Sequence, residues 1–220
     1  MLAEFVTPNK QQLINEVLAN RTRHFTVVLE DIYQEQNASA VIRTCDCFGI
    51  QDLYITEDLH VYNINPNVVR GASKWVNIQR YERGEESFLT CYKELKEKNY
   101  RVVGTTPDPN SASIHDLNID QRTAIVFGTE KRGMSDFAKE NVDELVHIPM
   151  LGFTESFNIS VSAALVMSEL SHRLRISDID WSLTQEEKDE LKLLWYKQIV
   201  KRSDLLIENY IKEHSLKNDR

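Results

Sequence analysis

Residues 123–170 read TAIVFGTEKRGMSDFAKENVDELVHIPMLGFTESFNISVSAALVMSEL. The β-branched run at 123–127 breaks at Gly128 and continues as Gly128-Thr129-Glu130-Lys131-Arg132-Gly133. A second apolar run, 145–148, is stopped by Pro149 and passes through 150–158 into a helix rich in Ser and Ala. Short apolar runs bounded by Gly and Pro are expected strands. Two strands ending in polar loops, one loop feeding a helix N-terminus, describe the edge of an α/β sheet where ligands are held. The same pattern fits two ordinary βα turns, and Gly-x-Glu-x-x-Gly alone does not separate the two readings.

Working outward, the run FTVVLE at 25–30 is the expected first buried strand. A helix follows from Asn37 as N-cap, with Ala40, Val41, Thr44 and Phe48 facing inward and Gly49 at its end. Arg43 is the one basic side chain of that helix, placed to meet a phosphate or ribose. Further strands are expected at 50–56, 76–81 and 100–105, with a helix over 86–99. The strand at 100–105 ends in Gly104-Thr105-Thr106-Pro107, a third strand-end loop directed at the same crevice. The polar connection 57–75 is long enough to be functional, and Trp75 at its end is expected in the core. Before the first strand, 8–20 has helical spacing. A final helix over 185–209 starts with a capping box, Thr184 and Glu187, and its stripe of Leu191, Leu194, Trp195, Ile199 and Leu205 is expected to lie inward.

The 220 residues, 41% hydrophobic and 27% charged, fit a folded globular chain with one core plus appendages. No apolar run reaches membrane-spanning length and no leader pattern opens the chain, so a cytosolic protein is expected. Cys45, Cys47 and Cys91 are odd in number and lack zinc spacing, so neither a metal site nor a disulfide is expected. The net charge of −8 argues against a globally basic nucleic-acid binder. The charge is segregated, however, with basic groups at Arg21, Arg23 and His24 and at Lys197, Lys201 and Arg202. A dinucleotide dehydrogenase is disfavoured because no Gly-x-Gly-x-x-Gly follows the first strand.

Asn37-(x5)-Arg43-Thr44, Gly128-x-Glu130-x-x-Gly133 and Ile148-Pro149-Met150-(x5)-Ser156-Phe157-Asn158-Ile159-Ser160 together resemble the three motifs of the SpoU/TrmH branch of the SPOUT RNA methyltransferases. The segment Gly71-Ala72-Ser73-Lys74-Trp75 and the Trp-bearing final helix resemble the subgroup that methylates the ribose of guanosine 18 in tRNA. The resemblance implies a mostly parallel α/β sheet flanked by helices, with a deep C-terminal trefoil knot and N- and C-terminal helical extensions. The implied division is 1–24, a catalytic domain at 25–175, and 176–220. It implies a homodimer that binds tRNA, with S-adenosylmethionine held by Thr105, Gly128, Glu130, Ile148, Met150 and Phe157. Arg43 matches the family's catalytic arginine, which binds the adjacent phosphate and stabilises a developing alkoxide. By the same resemblance Asn37 and Asn158 would orient it and the ribose, Glu130 would hold Arg43 or Asn37 in place, and Ser156 would complete the polar network. The two basic clusters are the expected phosphate contacts. Phe157 stands where the family usually has Leu, and Ile159 where it has Val. The 33–36 approach to Asn37 lacks the basic and proline residues often found there. An rRNA 2′-O-methyltransferase and a non-catalytic RNA-binding α/β module are the alternatives.

Overall fold

The computed structural model describes residues 1–220 apart from 64, 83, 85, 130, 131, 219 and 220, and the main chain alone over 213–218. The chain divides into two compact units, Met1–Arg21 with Ser182–Arg220, and Thr22–Trp181.

The larger unit is built on seven strands: β1 (Phe25–Glu30), β2 (Asp52–Thr56), β3 (Asn77–Tyr81), β4 (Arg101–Thr105), β5 (Ala112–Ser113), β6 (Thr123–Phe127) and β7 (Glu144–His147). They form one sheet in the order β3-β2-β1-β6-β4-β7-β5, with parallel pairing throughout. β1 and β6 are buried at every position, which is why both read as unbroken apolar runs rather than alternating ones.

Side chains alternate between two cores. Val27, Leu29, Leu53, Ile55 and Ile125 pack with Ala38, Val41 and Ile42 of α2 (Glu35–Phe48) and with Ala163, Val166 and Leu170 of a long helix at Ile159–Arg175. Val28, Tyr54, Val102, Ala124 and Val126 face Phe88, Cys91 and Leu95 of Ser87–Glu97, and Ala138 of Asp136–Asn141. With Pro8–Ala19 as α1 and a short turn at Pro66–Val69 as α3, these later helices are α4 (Ser87–Glu97), α5 (Asp136–Asn141) and α6 (Ile159–Arg175). The order reverses about β1, whose neighbours are β2 and β6, so a crevice opens beyond the carboxyl ends of the central strands.

Two expectations shift here. Helix α2 begins at Glu35 with Gln34 as N-cap, so Asn37 lies inside its first turn and is not the cap. The 57–75 connection is pinned rather than open. Asp31 Oδ1 accepts the backbone N–H groups of Asp58, Leu59 and His60, and Glu57 accepts from the Tyr62 N–H and from Arg80. Buried carboxylates thus satisfy the backbone of a loop that has no strand partner.

In the smaller unit α1 packs against α7 (Gln185–Ile199), which carries the expected Thr184–Glu187 capping box. The expected single final helix is broken. Val200 turns extended, Arg202 takes φ 57, and the Ser203 hydroxyl donates to the Lys197 carbonyl before α8 (Ser203–Asn218) begins. Leu191 and Trp195 are buried, whereas Leu194 and Leu205 are exposed, so the inward stripe is shorter than its periodicity suggests. Among the described residues, no helix is long and apolar enough to cross a membrane.

Candidate active site

The loop after β6 closes on itself. Thr129 and Gly133 exchange both backbone hydrogen bonds at 2.9 Å, and the Arg132 N–H donates to Thr129 Oγ1. A Cβ at Gly128 would lie 2.2 Å from the Gly133 carbonyl carbon and the Met134 nitrogen, so only glycine lets the loop fold back there. Gly133 closes the turn at φ 68. Two residues on, Ser135 caps α5 and is anchored by Glu30 at the end of β1, whose carboxylate accepts the Ser135 N–H at 3.0 Å and its hydroxyl at 2.5 Å. Burial raises the Glu30 pKa above its ordinary value, against the opposing pull of the two Ser135 bonds.

This loop forms one wall of a cavity of about 410 Å3 at the carboxyl edge of the sheet. The other walls come from the ends of β4 and β7 and the start of α6. Thr105, Gly128, Ile148, Met150, Ser156 and Phe157 all line it. Thr129, within the expected loop, lines it too, and Phe127, Met134 and Ser162 also line it and were not expected. Apolar flanks with backbone amides and hydroxyls at a few points suit a flat heterocycle on a polar, partly charged tail. Thr105 is itself held by its hydroxyl, which donates to the Val126 carbonyl at 2.9 Å.

Next to this wall, Asn158 caps α6. Its Oδ1 accepts the Ser160 N–H at 2.9 Å and the Ser160 hydroxyl at 2.6 Å. Its Nδ2 then donates to Asn37 Oδ1 at 3.2 Å, while the Asn37 amide donates to Gln34 Oε1 at 3.0 Å. The structure therefore brings Asn37 and Asn158 together. Arg43 projects from α2 into solvent, and among the described residues its guanidinium bonds to neither asparagine. Glu130 and Lys131 lie outside the described residues.

The expected basic cluster ahead of β1 is corrected. Arg21 is 1% exposed, with its guanidinium over the Trp195 ring, and cannot present its charge to a phosphate. His24 is 7% exposed, its Nε2 is bonded to the Ile119 carbonyl at 2.7 Å, and burial lowers its pKa. Arg23 is half-buried in an ion pair with Asp52 at 3.0 Å. Lys197, Lys201 and Arg202 are exposed. On α6, Ser160, Ser162 and Ala164 are partly buried. Ala163 is fully buried, and the exposed apolar stripe runs through Phe157, Val161 and Leu165. Among the described residues no cluster of three or more His, Cys, Asp or Glu could hold a metal.

Fold and cavity define an α/β protein that holds a small ligand at the carboxyl edge of a parallel sheet. The SpoU rRNA Methylase family matches residues 24–168. The chain is 42% identical, over 96% of its length and 94% of the relative's, to the tRNA (guanosine(18)-2′-O)-methyltransferase of Borreliella burgdorferi. It superposes with TM-score 0.77 and 27% identity on the TrmH/SpoU tRNA modifying enzyme of A. aeolicus, covering 88% of this chain and 98% of that one. It shares the fold of the SpoU methyltransferase AviRb from Streptomyces viridochromogenes, solved with AdoMet, at TM-score 0.60 and 23% identity over 74% of this chain and 62% of that one. The chain belongs to the SpoU methylase family.

Proposed function

We propose that this protein transfers a methyl group from S-adenosylmethionine to the ribose 2′-hydroxyl of guanosine 18 in tRNA, acting as a cytoplasmic homodimer. The observation that carries this reading is the cavity formed by three strand-end loops beside the Asn37–Asn158 pair. The 42% identity to a tRNA (guanosine(18)-2′-O)-methyltransferase, over 96% of the chain, supports the substrate.

The cavity fits the donor. Its apolar flanks, Phe127, Ile148, Met150, Phe157 and Ile159, suit an adenine and a thioether-like chain, and its hydroxyls and loop amides suit ribose and carboxylate oxygens. When bound, S-adenosylmethionine supplies an electrophilic methyl on a positively charged sulfur. Thr105, Gly128, Ile148, Met150 and Phe157 would hold it, together with Glu130.

Positioning and charge stabilisation are what this chain's side chains can add. Arg43 binds the phosphate next to the target ribose through its guanidinium and stabilises the 2′-oxygen as its proton passes to solvent. The mutually bonded Asn37 and Asn158 present fixed amides to the ribose and Ser156 adds a hydroxyl, while Glu130 would take the role the family resemblance implies, holding Arg43 or Asn37 in place. Lys197, Lys201 and Arg202 supply further phosphate contacts. The exposed Phe157, Val161 and Leu165 stripe supports a second copy covering α6. The trefoil knot belongs to the same reading, with the segment after β7 threaded through the preceding loop.

The test is transfer of labelled methyl to total tRNA from a strain lacking this modification and, in parallel, to rRNA fragments, with the product nucleoside identified. Label in 2′-O-methylguanosine at position 18 is the expected result. Label confined to rRNA fragments, or absent, overturns the reading.

A further inference from the structure

We propose that Arg70 and Lys74, on the segment packed against α2, bind tRNA phosphates and extend the contact surface of Arg43. The proposal rests on the tRNA reading above and assigns residues that it leaves without a role.

Placement is the first argument. Ser39 of α2 accepts the Asn65 N–H on its hydroxyl at 2.9 Å, which fastens the start of the 65–75 segment to the helix. Arg43 lies four residues after Ser39 and therefore on the same stripe of α2. Val69 and Ala72 of the segment are buried in the core that holds Val41 and Ile42. The segment thus lies along α2 with its apolar side chains inward, while Arg43, Arg70 and Lys74 are exposed.

Charge is the second. The sequence has 34 acidic residues against 26 basic ones, and many cations of the larger unit are taken up in pairs. Arg23 pairs with Asp52, Arg80 with Glu57, Lys96 with Asp143, Lys98 with Glu94 and Arg101 with Glu144. Among the described residues the side chains of Arg43, Arg70 and Lys74 have no hydrogen-bond or ion-pair partner. Positive charge left uncompensated on one face of an acidic protein is an electrostatic footprint for a polyanion.

The backbone at Arg70 is the third. Arg70 ends α3 at φ 47, ψ 36, and Gly71 follows at φ 84. Glycine takes the left-handed conformation without steric cost, whereas an arginine is disfavoured there. A strained backbone that presents an unpaired guanidinium outward is accounted for by a ligand that needs the guanidinium. A planar fork at Arg70 and a point charge at Lys74 are both suited to phosphate oxygens.

The experiment measures tRNA affinity across about 50 to 200 mM salt for the full-length protein and for Arg70→Gly, Lys74→Ala and the double variant. The double variant is expected to lose on the order of 100-fold in affinity near 0.1 M salt, about tenfold per contact, with a salt slope shallower by about two. Thermal midpoint and affinity for S-adenosylhomocysteine are expected to stay at wild-type values, with Arg70→Gly equal to or above wild type in midpoint. Wild-type affinity and slope in all three variants would overturn the proposal. Failure of the unmodified protein itself to bind and methylate tRNA would instead bring down the function on which it rests.

Discussion

Asn158 Nδ2 donates to Asn37 Oδ1 at 3.2 Å, joining the cap of α6 to the first turn of α2 across 121 residues of sequence. Because Asn158 Oδ1 is already committed to Ser160, its amide has a single orientation, and that orientation fixes Asn37. Asn158→Ser keeps a capping hydroxyl but is too short to reach Asn37. It should leave stability within about 0.5 kcal/mol, whereas Asn158→Ala loses about 1 kcal/mol with the cap. Both should lower kcat by on the order of 100-fold through misplacement, with affinity for S-adenosylhomocysteine retained. Denaturant unfolding and single-turnover methylation check the pair. Wild-type turnover in Asn158→Ser would remove the asparagine link from the mechanism.

Arg43→Lys preserves the charge and loses the fork. A drop of about 100-fold in methyl transfer, with cofactor affinity and thermal midpoint unchanged, is expected for a bidentate phosphate contact. A rate near that of the unmodified protein would show that charge alone suffices.

Gly128→Ala and Gly133→Ala separate steric exclusion from backbone strain. The Cβ at 128 meets backbone at 2.2 Å, and displacing that loop should cost about 3 kcal/mol and abolish S-adenosylhomocysteine binding. At 133 no atom of the described residues lies within 4 Å of a Cβ. Only the left-handed backbone opposes the methyl there, at about 1–2 kcal/mol, and binding should persist. Calorimetric titration of both variants decides it, and equal loss of binding would contradict the geometry.

His24 predicts an acid-side loss of stability. Burial holds its pKa below the ordinary 6.5, with the Ile119 bond opposing, so the unfolded chain takes up the proton first. The contribution is therefore complete above pH 6.5 and is lost as pH falls through the lowered folded value. One proton gives a slope of up to about 1.4 kcal/mol per pH unit. Urea unfolding at about pH 7.5 and about pH 5.5 should show a steeper decline in the native protein than in His24→Gln. Parallel declines would assign the acid sensitivity to other groups.

The sequence by itself determined the elements whose burial is uniform. β1 and β6 are covered on both faces, so every residue except Glu30 at the end of β1 is apolar or β-branched, and the boundaries at 25–30 and 123–127 follow. The cavity-lining Thr105, Gly128, Ile148, Met150, Ser156 and Phe157 were legible for a related reason: parallel strands send their carboxyl ends to one edge, where Gly and Pro mark the loops. Only tertiary structure decided which cations face water. Arg21 and His24 look like a solvated helix end, yet Trp195 and Ile119, both distant in sequence, cover them. The Glu30–Ser135 anchor and the Asn37–Asn158 link were hidden in the same way. Local spacing records which residues share a face of one element, but a hydrogen bond between elements depends on where the whole sheet places their ends.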